Sequence, residues 1–202
     1  MNQTRKPEGT LGSMMIDGMT KGHSKLAAWG MSHLSEENIS PNEMLEIGCG
    51  GGKNASELLK KYPQAKMTAI DYSDVSVAKS SEYNKKSIEE GRCVVQNGDV
   101  SSLDLEKEKF DLATAFETIY FWPGLEKCFS QVANVLKTGG KFMIVNESDG
   151  NDKASLNFEK IIDGMKCHTP EEIEECLKKA GFSSVKTFHH ETKPWITVIA
   201  TK

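Results

Sequence analysis

The sequence predicts an α/β fold in which a mostly parallel β-sheet carries helices on both faces. Three observations lead to this prediction. Short apolar runs alternate with amphipathic segments along most of the 202 residues. Glycine or polar residues follow most of these runs, and only the last two runs lack a helix between them. Strands joined by helices lie parallel to one another, whereas two strands joined by a short connection pair antiparallel.

Seven runs have the length and composition of β-strands. In chain order they are MLEI, KMTAID, CVVQNGDV, FDLATAF, KFMIVNE, SSVKTFHH and WITVIAT. In such sheets, ligands bind beyond the carboxyl ends of the parallel strands. Functional residues are therefore expected just after strands one to four.

Segments with helical periodicity separate the strands. The best delimited is TPEEIEECLKKAGF, in which Thr169 is the predicted cap and Pro170 lies in the first turn. The segment SDVSVAKSSEYNKKSIEEG is predicted as one helix capped by Ser73 or Asp74. The polar stretch 148–166 is predicted to be irregular.

Composition and charge argue against several classes of protein. A net charge of -4 and a pI near 5.8 are unlike those of a general nucleic-acid-binding protein. No apolar run approaches the roughly 18 residues of a membrane helix, and MNQTRKPEGTLGSMMIDGMTKG lacks the apolar centre of a signal peptide. The five cysteines form no CxxC pair, which fits reduced thiols. We therefore expect a cytoplasmic monomer or homodimer with no membrane span and no nucleic-acid partner.

The segment LEIGCGGGKN joins the first predicted strand to a helix. It is not a P-loop, because Asn54 stands where Ser or Thr is required. It is a poor dinucleotide fingerprint, because Lys53 replaces the third glycine. What remains is an acid followed by GxGxG, formed by Glu46, Gly48, Gly50 and Gly52. The carboxylate disfavours a pyrophosphate and favours a ligand with an ammonium group.

Two more acids follow the next two strands. Asp71 lies 23 residues after Gly48, close to the spacing of about 20 at which a carboxylate binds a ribose diol. Asp99, in NGDV, can accept a hydrogen bond from the amine of adenine while the Val100 amide donates to the ring. The alternatives are a helix cap for Asp71 and a turn residue for Asp99. An amino-acid group, a ribose and an adenine together compose S-adenosylmethionine.

These motifs resemble those of the class I S-adenosylmethionine-dependent methyltransferases, and especially the UbiE-like (methyltransferase type 11) group. The resemblance covers residues 44–147 and rests on LEIGCGGG, AIDYS, NGDV, FDLATAFETIYFW and VLKTGGKFMIVNE. It implies a Rossmann-like, doubly wound sheet of seven strands with the last strand antiparallel and helices on both faces. It also implies an N-terminal helical lid segment (1–40) that belongs to the same domain as the methyltransferase region (41–202).

The resemblance implies a cofactor, S-adenosyl-L-methionine, with S-adenosyl-L-homocysteine as product, and a set of residues that bind it. These cofactor-binding residues are Glu46, Gly48, Cys49, Gly50, Asp71, Tyr72, Gly98, Asp99, Val100, Ala115 and Glu117. The sequence predicts no metal site.

The candidate catalytic residues are His23, Glu117 and Tyr120. Methyl transfer depends mainly on position, so a general base is needed only when the acceptor loses a proton. The alternatives are a capping or surface histidine and ordinary packing of the tyrosine. The N-terminal stretch is rich in methionine, which suits adaptable apolar contacts, at Met14, Met15, Met19 and Met31. It is predicted to form a mobile cover over a moderately hydrophobic acceptor, so that deleting 1–36 impairs turnover more than folding.

The implied function is methyl transfer to a small-molecule acceptor. One alternative is a non-catalytic S-adenosylmethionine-binding or regulatory module. Another is an NAD-dependent oxidoreductase, whose Tyr-x-x-x-Lys relay YPQAK matches only formally, because Pro63 breaks the helical turn. A macromolecular methyltransferase is disfavoured, because AFETIYFW stands where such enzymes carry an NPPY-type tetrapeptide.

Overall fold

The protein folds around one seven-stranded sheet. The computed structural model describes residues 7–202, except for the side chains of residues 19–21. Its strands are β1 (Glu43–Ile47), β2 (Lys66–Asp71), β3 (Cys93–Asn97), β4 (Phe110–Phe116), β5 (Leu136–Asn146), β6 (Ser184–His189) and β7 (Ile196–Thr201). Their order is β3-β2-β1-β4-β5-β7-β6. The first five pair in parallel, and β7 is antiparallel to both neighbours. The predicted fold is confirmed.

Helices cover both faces of the sheet. They are α1 (Gly9–Gly22), α2 (Ser24–Ser32), α3 (Lys53–Lys61), α4 (Asp74–Tyr83), α5 (Lys85–Glu89), α6 (Leu125–Val135), α7 (Lys153–Ile161) and α8 (Pro170–Lys179). The predicted start of α8 is confirmed, because the Thr169 side chain accepts from the Glu172 N–H and the Glu172 carboxylate accepts from the Thr169 N–H. No helix in the described part of the chain is long and apolar enough to cross a membrane.

The predicted single helix after β2 is wrong, because it divides into α4 and α5 at Asn84. The buried Asn84 amide donates to the carbonyl oxygens of Gly52 at 2.9 Å and Ser80 at 3.0 Å. This side chain therefore ties the end of α4 to the glycine turn after β1. Ser73 is the cap of α4, as expected, with its side chain accepting from the Ser76 N–H.

The prediction of an irregular stretch at 148–166 is also wrong, because it contains α7. Asp152 caps this helix by accepting from the Ser155 N–H at 2.8 Å. None of the described α7 residues is buried. An apolar stripe, the usual sequence signal of a packed helix, is therefore weak in this segment.

The core has two layers, because successive side chains of a strand point to opposite faces. Phe142 and Ile144 of β5 pack on the side of α6 and α8. Met143 and Val145 pack on the other side, with α2 and α3. Several α2 side chains, including Leu26, belong to this second layer. The segment before β1 therefore contributes to the same core as the rest of the chain.

Candidate functional site

A cavity of about 810 Å³ lies beyond the carboxyl ends of β1 to β5. The last residue of β2 and the residues that directly follow the other four strands line it, at Gly48, Asp71, Gly98, Glu117 and Glu147. The position agrees with the general rule for parallel α/β sheets, in which loops at this edge converge on a ligand.

All but two of the predicted site residues line this cavity. The lining includes Gly48, Cys49, Gly50, Asp71, Tyr72, Gly98, Asp99, Val100 and Glu117, and the candidates His23 and Tyr120. Neither Glu46 nor Ala115 lines it. Ala115 is fully buried in β4, within the core layer that faces α6.

The glycine turn after β1 needs its glycines for two different reasons. Gly48 and Gly50 both have positive φ angles, 78° and 49°. A Cβ atom at Gly48 would collide with the Thr118 side chain, so this glycine permits a close approach to the segment after β4. A Cβ atom at Gly50 would meet no described atom within 4 Å. Gly50 therefore presents its backbone to the open cavity.

The Asp71 carboxylate holds the glycine turn against the end of β2. Its Oδ2 atom accepts from the Gly50 N–H at 3.0 Å, and its Oδ1 atom accepts from the Ser73 N–H at 2.9 Å. Burial raises the pKa of Asp71, and these N–H donors oppose the rise. Because Ser73 caps α4, the alternative role of Asp71 as the cap does not apply.

Asp99 and Val100 start a single turn of 3-10 helix, Val100–Ser102, after β3. The Asp99 Oδ1 atom accepts from the Ser101 N–H at 2.8 Å, so the turn role is present. Both residues also line the cavity.

Glu46 is a buried carboxylate in β1 with an exposed fraction of 1%. Its Oε2 atom has no hydrogen-bond partner within the described chain. Burial raises the pKa of Glu46 well above its usual value, and the nearby Asp71 adds to the rise. Glu46 therefore lies beneath the site, and its burial favours the protonated, uncharged form of the side chain.

Three side chains form a polar cluster where the cavity meets the end of α1. Glu117 adopts a φ of 59°, and its Oε2 atom lies 3.7 Å from His23 Nε2. Glu147, which follows β5, places its Oε2 atom 3.6 Å from the same nitrogen. No pattern in the sequence indicated a role for Glu147, the last residue of KFMIVNE.

Tyr120 holds the Glu117 side chain of this cluster in place through hydrogen bonds. Its hydroxyl donates to Glu117 Oε1 at 3.1 Å and accepts from the Ser148 N–H at 3.1 Å. Glu117 Oε1 also accepts from the Glu147 N–H. The Glu117 carboxylate is therefore fixed in orientation, with its Oε2 atom directed toward His23.

Burial controls the protonation of the cluster. It raises the pKa of Glu117 to about 8, and the charge of Glu147 adds to the rise. It lowers the pKa of His23, although Glu147 opposes this effect. Burial also raises the pKa of Tyr120 well above its usual value. The cluster consequently favours neutral His23 and protonated Glu117 near pH 7.

Aromatic and aliphatic side chains also line the cavity. Phe121, Trp122 and Pro123 line it after β4, and Phe158 of α7 lines it with Ile162. The aromatic segment is visible in the sequence, whereas α7 was not predicted from it. The available signal was the pattern DKAS, in which Asp152 is three residues before Ser155 and can cap a helix.

The turn before β7 was also missed by the sequence analysis. Lys193, Pro194 and Trp195 line the cavity there. The Lys193 ammonium lies 3.9 Å from the centre of the Trp195 ring, in a cation–π contact.

The fold and the cavity define a ligand-binding protein of the doubly wound α/β class. Residues 40–193 match the sequence model of a methyltransferase domain. The chain belongs to this methyltransferase family, and the resemblance found in the sequence is confirmed at that level.

Individual relatives agree with this assignment. The chain is 27% identical over 155 residues to a sterol 24-C-methyltransferase of Candida albicans, covering 72% of this chain and 41% of that protein. It is 26% identical to a malonyl-acyl-carrier-protein O-methyltransferase of Geobacter sulfurreducens, covering 80% of this chain and 63% of that protein. The chain thus spans less than two thirds of the length of either relative.

A solved structure supports the fold over nearly the whole chain. It is the complex between the Trm112 methyltransferase activator of Haloferax volcanii and a proposed methyltransferase. The TM-score is 0.85 at 14% identity, with 98% of this chain and 96% of the other covered.

Proposed function

We propose that this chain transfers a methyl group from S-adenosylmethionine to a small-molecule acceptor. The observation that carries the proposal is the arrangement around Asp71. In a chain of the methyltransferase family, this carboxylate faces the cavity while holding the glycine turn through Gly50. A carboxylate at the end of the second strand is the residue type that accepts hydrogen bonds from a ribose diol.

In the proposed complex, each strand end contacts one part of the cofactor. The turn from Gly48 to Gly50 binds the methionine part, and Asp71 binds the ribose. Tyr72 lies against the adenine, whose edge is bound by Asp99 with Gly98 and Val100. Glu117 lies beside the sulfonium, while Glu46 and Ala115 support the wall from within the sheet.

The proposed reaction is an in-line displacement. A lone pair of the acceptor attacks the methyl carbon, the carbon–sulfur bond breaks, and S-adenosylhomocysteine leaves with the bonding electrons. The cofactor supplies the reactive group. The protein supplies orientation, which can contribute about 7–11 kcal/mol to lowering the barrier.

We propose an apolar acceptor of moderate size. The support is the apolar surface that Phe121, Trp122 and Phe158 contribute to the cavity lining. An apolar lining with few polar groups is typical of small-molecule sites.

The proposed lid is narrower than the segment 1–40. Met31 is buried in the core at α2, with an exposed fraction of 8%, and cannot belong to a mobile cover. Met14 and Met15 of α1 are exposed, and Met15 lines the cavity, whereas the Met19 side chain lies outside the described part. Deleting 1–36 would uncover the core, so the deletion that tests a lid ends at Gly22.

We also propose a cytoplasmic monomer or homodimer without a nucleic-acid partner. The free state of all five cysteines and the net charge of -4 support this proposal. Size-exclusion chromatography with light scattering tests the oligomeric state, and a larger assembly would contradict it.

Calorimetric titration of the full chain with S-adenosylhomocysteine and, separately, with NAD tests the proposed function. We expect one equivalent of S-adenosylhomocysteine to bind and NAD not to bind. Binding of NAD alone would overturn the proposal in favour of an oxidoreductase. Binding of S-adenosylhomocysteine without turnover across a panel of apolar acceptors would favour the non-catalytic alternative.

A further inference from the structure

His23, Glu117 and Glu147 bring one imidazole and two carboxylates to a single point in the cavity wall. The His23 Nε2 atom is 3.7 Å from Glu117 Oε2 and 3.6 Å from Glu147 Oε2. The three ligand atoms lie within 4.8 Å of one another. His23 lies between α1 and α2, and Glu117 and Glu147 directly follow the neighbouring strands β4 and β5.

These separations are too long for direct hydrogen bonds, which are about 2.7–3.2 Å between nitrogen and oxygen. Elsewhere in the chain, His33 and Glu36 form such a pair directly, at 3.0 Å. In the cavity wall the three atoms instead surround a shared position. The point equidistant from them lies about 2.4 Å or less from each atom, close to the roughly 2.0–2.2 Å of zinc–nitrogen and zinc–oxygen bonds.

The protein also fixes the donors in the way that metal ligands are fixed. Tyr120 and the Glu147 N–H both bind Glu117 Oε1, which leaves Glu117 Oε2 for another partner. Outer hydrogen bonds of this kind orient metal-binding carboxylates. A cation that binds here displaces the proton that burial keeps on Glu117, and this proton is released to solvent. The Glu147 side chain is 51% exposed, so the position can be reached from the cavity and retains room for further ligands.

We propose that His23, Glu117 and Glu147 bind one divalent transition-metal cation at the cavity wall. One imidazole nitrogen with two carboxylate oxygens suits Mn²⁺, Fe²⁺ or Zn²⁺ better than Ca²⁺, which prefers oxygen ligands alone. The sequence predicted no metal site, because the three residues are spread over 125 positions and show no ligand spacing.

The function of this cation rests on the proposed methyltransferase activity. An ion here binds an acceptor hydroxyl oxygen and lowers the pKa of its O–H group. The proton leaves to solvent, and the oxygen lone pair forms the new bond to the methyl carbon while the carbon–sulfur bond breaks. The products are a methyl ether, S-adenosylhomocysteine and one proton. The site therefore selects acceptors that present a hydroxyl group.

Calorimetric titration of the full chain with Mn²⁺ and, separately, with Zn²⁺ tests binding of the cation. No acceptor is needed. Electron paramagnetic resonance follows the binding of Mn²⁺ independently. We expect one equivalent to bind to the original sequence. Glu147→Gln should weaken binding at least about tenfold, because a charged ligand is lost while the half-exposed position tolerates the amide. Glu36→Gln, at the separate His33 pair, is the matched control and should bind as before.

Two outcomes would overturn the cation site. One is the absence of binding at millimolar Mn²⁺ and Zn²⁺, which would leave the cluster as a histidine paired with two carboxylates. The other is equal binding in Glu147→Gln, which would place the ion elsewhere. S-adenosylhomocysteine is titrated into the same samples. If S-adenosylhomocysteine did not bind, the proposed function would be contradicted. The result for the cation site would still be valid, because cation binding is measured separately.

Discussion

The Oδ2 atom of Asp71 lies 3.0 Å from the backbone nitrogen of Gly50 and accepts its hydrogen bond. One carboxylate thus organises the end of β2 and the turn after β1, which are adjacent strands in the sheet. It has both a structural and a proposed ligand-binding role, and these two roles can be separated by experiment.

Asp71→Ala should weaken S-adenosylhomocysteine binding by at least about 100-fold, or roughly 2.8 kcal/mol. It should also lower the free energy of unfolding by about 1–3 kcal/mol, because two backbone N–H groups lose their acceptor. Calorimetry and urea denaturation measure the two effects.

The matched control for Asp71 is Asp111→Ala. Asp111 also accepts from two backbone N–H groups, those of Asn42 and Glu43 at 2.9 Å, but at the opposite end of the strands. This variant should lose stability and keep its affinity for S-adenosylhomocysteine. If both variants lost affinity equally, the effect of Asp71 would be one of stability alone.

Glu46 should make stability depend on pH. Its pKa in the folded protein is raised, so the folded state binds more protons than the unfolded state above the usual glutamate pKa of about 4.3. Stability is therefore highest at low pH within this window and falls as pH rises toward the folded pKa. The slope is at most about 1.4 kcal/mol per pH unit for one group.

Glu46→Gln should flatten this dependence and raise the free energy of unfolding at pH 8 relative to the original sequence. The amide carries no charge to bury. Glu43→Gln, in the same strand but half-buried, serves as control. Urea denaturation from pH 5 to pH 9 measures the effect, and parallel profiles for all three proteins would refute it.

Tyr120 is expected to be a positioning residue. Tyr120→Phe removes the hydroxyl that donates to Glu117 and accepts from the Ser148 N–H. The lost hydrogen bond to Glu117 contributes about 1 kcal/mol, so kcat should fall about fivefold. The affinity for S-adenosylhomocysteine should stay within about twofold of that of the original sequence. Release of S-adenosylhomocysteine measures turnover.

The control for this variant is Tyr83→Phe, because Tyr83 is 52% exposed at the end of α4. It should not change kcat. If Tyr120→Phe lowered cofactor affinity and kcat by the same factor, Tyr120 would contribute to cofactor binding and would not act through Glu117.

Helix α7 should determine binding of apolar ligands. Phe158 lines the cavity, whereas Ile161, three residues later, is 79% exposed and does not. Phe158→Ala should weaken binding of the apolar dye 1-anilinonaphthalene-8-sulfonate about fivefold, since roughly 1 kcal/mol of apolar contact is lost. Ile161→Ala removes similar apolar surface outside the cavity and should leave binding unchanged. Dye fluorescence measures both, and equal losses would show that the dye binds the outer surface of α7.

The sequence by itself determined the sheet and most of the part of the cavity where the cofactor is proposed to bind. The positions of Gly48, Asp71 and Asp99 follow from one rule, because the carboxyl ends of parallel strands meet at one edge of the sheet. Each of these residues ends a recognisable strand or follows one within two residues. Local patterns were therefore sufficient to bring them together.

Only the tertiary structure decided the part of the cavity where His23 and Glu147 meet. Glu147 meets His23 because β5 lies next to β4 and because α2 packs on the same end of the sheet. The break at Asn84 depends on the carbonyl of Gly52, which lies far away in the chain. Contacts of this kind arise from strand order and helix packing, and they leave no periodic signal in the sequence for a local pattern to detect.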